Sequence, residues 1–209
     1  MKRMPNLALI AALCLTACGA PAGEPAATPV ASVSTAPAAG PYRGLQLETP
    51  LARPSFTLTD EAGQPYDFLA RTQGKPTLLF FGYTSCPDIC PTTMADVAVA
   101  IRGLPADLAE TVQVVFVTTD PTTDTGPVLT EFLDHFDSDL PNGFVGLTGT
   151  IPEVEAAQRA ARVTVAQDMG KSHSAQLQLY GTDDLARVVY VGGSSPDDIL
   201  HDLPLVSRG

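Results

Sequence analysis

The run at residues 77–83, TLLFFGY, is the feature that most constrains this chain. It is uncharged and of strand length, and its large apolar residues fall on both alternating faces, so it needs cover on both sides of a sheet. Residues 112–118, VQVVFVT, repeat the pattern. Between the two, residues 94–104 place apolar side chains at helical spacing and stop near Gly103 and Pro105. A second helix is predicted over 128–136, with Asp124 as its cap and Pro127 in its first turn. A short strand follows at 144–147 and a helix at 152–162. Residues 175–180 and 187–191 read as two strands joined by the turn GTDD. Residues 197–203 close the chain as a helix, capped by Ser194 or Ser195 with Pro196 near its first position. Upstream, residues 56–60 alternate as a half-buried strand, and 61–64 supply a turn.

That order predicts an α/β fold with a central mixed sheet flanked by helices, parallel at first and ending in an antiparallel hairpin. A thioredoxin-like arrangement fits it. The length of 209 residues suits one domain of ordinary size, and no internal repeat is visible. A net charge of −11 excludes a nucleic-acid partner, because binding phosphates requires a basic face.

The N-terminus reads differently. Lys2 and Arg3 precede the apolar run LALIAALCL, which is too short to span a bilayer, so residues 1–17 read as a secretory signal. Leu15-Thr16-Ala17-Cys18 looks like a lipobox, making Cys18 the expected lipidation site and the new N-terminus. Residues 18–42 are almost entirely Ala, Pro, Gly, Ser, Thr and Val, too poor in large apolar groups to order themselves. The expectation is a domain over 43–209 tethered outside the cytoplasm, where thiols tend to oxidise.

The run at 77–83 leads straight into TSCPDICP, which holds the two remaining cysteines, Cys86 and Cys90. In a regular helix their Cβ atoms would lie roughly 5–6 Å apart on one face. Pro91 opposes that, since it cannot donate to the carbonyl of Pro87 and disfavours helical angles at Cys90. The economical reading puts Pro91 at the first helical position, with CPDIC as a loop before it. Such a loop can close a disulfide or open to grip an ion. A helix N-terminus favours thiolate, and thiolates suit soft metals, yet two are too few to complete a tetrahedral zinc site. A third donor must come from elsewhere. Of the three histidines, His173 stands in a polar stretch, GKSHSAQ, before a strand, whereas His135 and His201 read as solvated helix residues.

FFGYTSCPDICPTTM resembles the signature of the Sco/SenC family, thioredoxin-fold copper proteins that help assemble the CuA centre of cytochrome c oxidase. VVFVTTDPTTDTGPVLTEFL and FVGLTG resemble the segments that follow in that family, with Thr119 standing where a valine is usual. The resemblance implies Cys86, Cys90 and His173 as copper ligands. Here Lys171 and Ser172 precede His173, where the family usually has an aspartate. Asp120 is a candidate acid behind the site or the cap of a strand-end turn. Asp88 is a candidate loop cap or a weak oxygen for Cu(II).

The resulting expectation is a membrane-anchored, extracytoplasmic copper metallochaperone. Its partner would be the copper-bearing subunit of cytochrome c oxidase or another periplasmic copper chaperone. The rival is a thiol-disulfide oxidoreductase using Cys86 and Cys90 and acting on cysteines of the oxidase or of a copper protein. A structural disulfide is a third reading, but it would close only a tiny loop and add little stability.

Overall fold

The computed structural model describes residues 40–192 and 195–208. The signal segment at 1–17, Cys18, most of the linker and Ser194 lie outside the described residues. Among the described residues no helix is long and apolar enough to cross a membrane.

The elements in chain order are β1 (Leu45–Ala52), β2 (Thr57–Asp60), β3 (Pro65–Asp67), α1 (Phe68–Thr72), β4 (Thr77–Gly82), α2 (Ile89–Arg102), α3 (Ala106–Ala109), β5 (Gln113–Thr118), α4 (Gly126–Asp137), β6 (Val145–Thr148), α5 (Ile151–Ala160), β7 (Gln176–Tyr180), β8 (Leu185–Val191) and α6 (Pro196–Val206). The strands form one mixed sheet in the order β1-β8-β7-β4-β5-β6-β2-β3. β4, β5 and β6 are parallel, and β7 and β8 join as the expected antiparallel hairpin.

β4 sits at the centre because its side chains demand it. Leu78 and Phe80 point to one face, where they pack with Cys90, Met94 and Val97 of α2, Leu129 of α4 and Leu203 of α6. Leu79 and Phe81 point to the other, against Phe68, Val115, Val154 and Ala157. This is the strand's two-residue period with both faces covered. Each of these fully buried large side chains contributes about 1.5–3 kcal/mol. Pairing residue for residue in parallel with β5, from Thr77 against Gln113 to Gly82 against Thr118, sets the two carboxyl ends side by side. Chain leaving those ends builds the site.

Four elements, β1, β3, α1 and α3, carried no legible sequence signal. β1 is an edge strand whose exposure does not alternate and whose pairing to β8 slips between Gln46 and Leu51. α1 is a helix of five residues, capped by the Asp67 carboxylate at the Ala70 N–H. The N-terminal end of the domain is fastened by Asp202, which accepts from the backbone N–H groups of Arg43 and Gly44 and from the Tyr190 hydroxyl.

Candidate metal centre

At the end of β4 the backbone turns through Tyr83–Thr84–Ser85, and the Cys86 N–H donates to the Tyr83 carbonyl at 3.3 Å. α2 then starts at Ile89, two residues earlier than expected. Cys90 is therefore inside the first turn, and Pro91 is the third helical residue. The first four N–H groups of a helix have no intrahelical partner, so a proline there removes nothing. The Thr92 N–H already reaches the Asp88 carbonyl at 3.1 Å. Early helix onset carries Cys90 into the core, where it is fully buried, while Cys86 keeps 8% exposure. Both are free thiols. Gly82 makes the room: a Cβ there would lie 2.7 Å from Cys90 Sγ and 2.8 Å from the Phe80 ring.

His173 arrives from the segment before β7. Gln167 and Ser172 pair as a two-residue antiparallel bridge, which turns the chain back toward the sheet. The imidazole stands edge-on to Tyr83, with ring centres 5.5 Å apart and planes at 90°, and also meets Phe80. Nδ1 lies 3.1 Å from the Ser174 carbonyl, which can only accept. That contact places the proton on Nδ1 and leaves the Nε2 lone pair bare. Nε2 faces the cysteines, 3.6 Å from Cys90 Sγ. The backbone carbonyl thus does the orienting that a neighbouring carboxylate does for other metal-binding histidines. The three donor atoms of Cys86, Cys90 and His173 all lie within 4.8 Å of one another. Atoms this close can share one ion with little movement, since bonds from zinc to sulfur and imidazole run about 2.0–2.3 Å and copper's are similar.

The two sulfurs differ electrostatically. Burial pushes the Cys86 thiol up, but donation from the Asp88 and Cys90 backbone N–H groups and from the Cys90 and Tyr83 side chains outweighs it, and the pKa falls below the ordinary thiol value. Cys90 goes the other way. Its deeper burial, with the negative charges of Cys86 and Asp124 nearby, drives its pKa far above the ordinary value.

Asp88 is the residue before α2, exposed, and its side chain makes no capping bond; its backbone N–H, directed at Cys86, is what the site uses. Asp120 caps the turn after β5, accepting from the Thr122 hydroxyl at 2.7 Å. Asp124 does not cap α4, whose preceding residue is Thr125. It is fully buried and accepts from the Thr84 N–H (3.0 Å), the Thr84 hydroxyl (2.6 Å) and the Thr118 hydroxyl (2.6 Å). Its bonds to Thr84 span 40 residues, which hid them. Gly82 and Tyr83 were equally unforeseen, being read only as strand. His135 and His201 are exposed helix residues, as expected, with Nδ1 of His201 against Asp202 at 2.8 Å. Ser195 caps α6.

A profile of the SCO1/SenC family matches residues 46–206. The chain belongs to the SCO1/SenC family. A Stutzerimonas stutzeri protein provisionally named for copper binding is 34% identical over 142 residues, covering 65% of this chain and 67% of that one. Protein SenC of Rhodobacter capsulatus is 39% identical over 110 residues, and the match spans 51% of this chain but only 46% of that protein. Among solved structures, Bradyrhizobium japonicum ScoI with copper bound superimposes with a TM-score of 0.61 at 28% identity, covering 75% of this chain and all of that one. The fold of this SCO1/SenC protein is accordingly the thioredoxin-like one that its element order predicted.

Proposed function

We propose that this SCO1/SenC protein is a copper carrier, with Cys86, Cys90 and His173 as the ligands, serving assembly of the copper centre of cytochrome c oxidase. The carrying observation is the convergence of two thiols and an oriented imidazole from distant segments, Cys90 Sγ lying 3.6 Å from His173 Nε2. Two soft sulfurs and one nitrogen suit trigonal Cu(I), whereas a dithiol working as a reductant has no need of an imidazole. A solved relative at 25% identity is described as a member of a family of cytochrome c oxidase assembly proteins. Cys18 serves as the lipid attachment point and residues 18–42 as the tether, which together place the domain on the outer face of a membrane.

Both thiols must be reduced to hold the ion. When a partner disulfide takes two electrons from the pair, it becomes a dithiol. Cys86 and Cys90 become a disulfide, and both sulfur ligands are lost. Thiol redox therefore gates release. The unequal thiols favour a second reading as a thiol-disulfide oxidoreductase, with Cys86 attacking and Cys90 resolving.

An anaerobic competition titration with a coloured Cu(I) chelator separates the two. One tight equivalent in the reduced protein, weakened at least tenfold by His173→Ala, is the expected result. Binding indifferent to His173 sinks the ligand set and leaves dithiol chemistry.

A further inference from the structure

One residue at the end of β5, Thr119, holds the ligand-bearing segments together. Its backbone N–H donates to the Gly82 carbonyl at 2.6 Å, fixing the end of β5 to the point where β4 accommodates Cys90 Sγ. Its hydroxyl donates to the Gly170 carbonyl at 2.7 Å, with a longer 3.2 Å approach to the Gly82 carbonyl. Gly170 lies flat on this strand end: a Cβ there would fall 1.9 Å from the Thr119 carbonyl oxygen, and the residue's φ of +88° is one that glycine adopts freely. Three residues further on is His173.

We infer that the Thr119 hydroxyl is a positioning group for His173, strapping the imidazole's segment over the cysteine pair so that Nε2 reaches the ion. Thr119 is buried, at 6% exposure, and its hydroxyl bonds to the backbone carbonyls of Gly170 and Gly82. Its reach runs entirely through the 167–172 bridge. Gln167 and Ser172 exchange both backbone hydrogen bonds, at 2.8 and 3.1 Å, and the Gly170 N–H returns to the Gln167 carbonyl at 3.0 Å. A segment closed on itself in this way moves as one piece. With the Thr119 bond it is docked on β5; without it the Gly170 carbonyl loses its side-chain donor and the piece is free to lift.

This rests on the copper-carrier reading, and the test keeps the two apart. The full chain, reduced and anaerobic, would be prepared as wild type, Thr119→Val, Thr119→Ser, His173→Ala and the Val/Ala double variant. Valine keeps the shape and removes the hydroxyl; serine keeps the hydroxyl. Hydrogen exchange without copper is measured first. Amides of Gly170 and Ser172 are expected to exchange roughly tenfold faster in Thr119→Val, with Thr119→Ser near wild type and the β4–β5 amides unchanged. Cu(I) competition follows. Thr119→Val should weaken binding by roughly tenfold, and should cost nothing further once His173 is alanine. Unchanged exchange in Thr119→Val, or a serine variant that behaves like valine, overturns the inference. So does an equal loss of affinity in the His173→Ala background. Wild-type protein that binds no Cu(I) would overturn the carrier reading alone, leaving the exchange result to decide the strap.

Discussion

Asp124 shows how much one buried carboxylate can organise. All three of the groups bonded to it donate to it, two hydroxyls and the Thr84 backbone N–H, which can do nothing but donate. An asparagine would keep only one acceptor oxygen for these three donors. Asp124→Asn is therefore expected to lose roughly 2–3 kcal/mol in urea unfolding and to loosen the turn before Cys86. The two thiols differ at the same scale. Thiolate is the species that alkylates, so Cys86 should react with iodoacetamide at pH values below the usual thiol midpoint near 8.5, while Cys90 stays inert there. Mass mapping of the first modified cysteine at pH 7 checks this, and label on Cys90 first would refute it. Cys90 also leaves a stability signature of opposite sign. From about pH 8.5 upward the unfolded thiol ionises while the folded one stays protonated, so stability should fall as pH rises through that window.

At the scale of elements, the close packing of α2 on β4 places Cys90. The helix lays Cys90, Met94, Val97 and Ile101 on the sheet, all at 4% exposure or less, and ends at Gly103. Its first turn fits only because Gly82 has no side chain. Gly82→Ala would set a methyl against the Cys90 sulfur and the Phe80 ring, and should cost about 1–3 kcal/mol through overpacking. Because the sulfur is the displaced atom, Cu(I) affinity should fall as well. A variant that is destabilised yet binds Cu(I) as tightly as wild type would show that the sulfur's place is not set by this contact.

For the whole molecule, the site and the main polar anchor lie at opposite ends of the central strand. Before β4 begins, the Arg53 guanidinium is buried and bonded to Asp184 at 2.7 Å, the Thr72 hydroxyl at 3.0 Å, and the Lys75 and Gly181 carbonyls at 2.8 and 3.0 Å. It joins the end of β1 to α1 and to the β7–β8 turn. Arg53→Ala should cost roughly 3 kcal/mol in unfolding and leave Cu(I) affinity unchanged. Metal loading acts on the same equilibrium from the other end. At a hundredfold excess over its Kd, a ligand adds about 2.7 kcal/mol, or roughly 5–10 °C in Tm for a domain of this size. Calorimetry should show that rise for the reduced protein and none for the Cys86–Cys90 disulfide form.

The sequence by itself determined whatever local periodicity and motif chemistry encode. The doubly apolar runs of β4 and β5 required a covered sheet, the alternation of elements gave its sense, and TSCPDICP with His173 supplied the donors. Where helix α2 begins, which carboxylate caps and which one clamps, and how His173 is aimed were decided by tertiary structure. Asp124 reads as a helix cap beside Pro127, yet its bonds run to Thr84, 40 residues upstream. Thr119 reads only as a threonine standing where a valine is usual until Gly170, 51 residues later, lies on it. Pairings across such separations leave no periodic trace, because they depend on which strand ends the sheet sets side by side, and that order exists only once the core has formed.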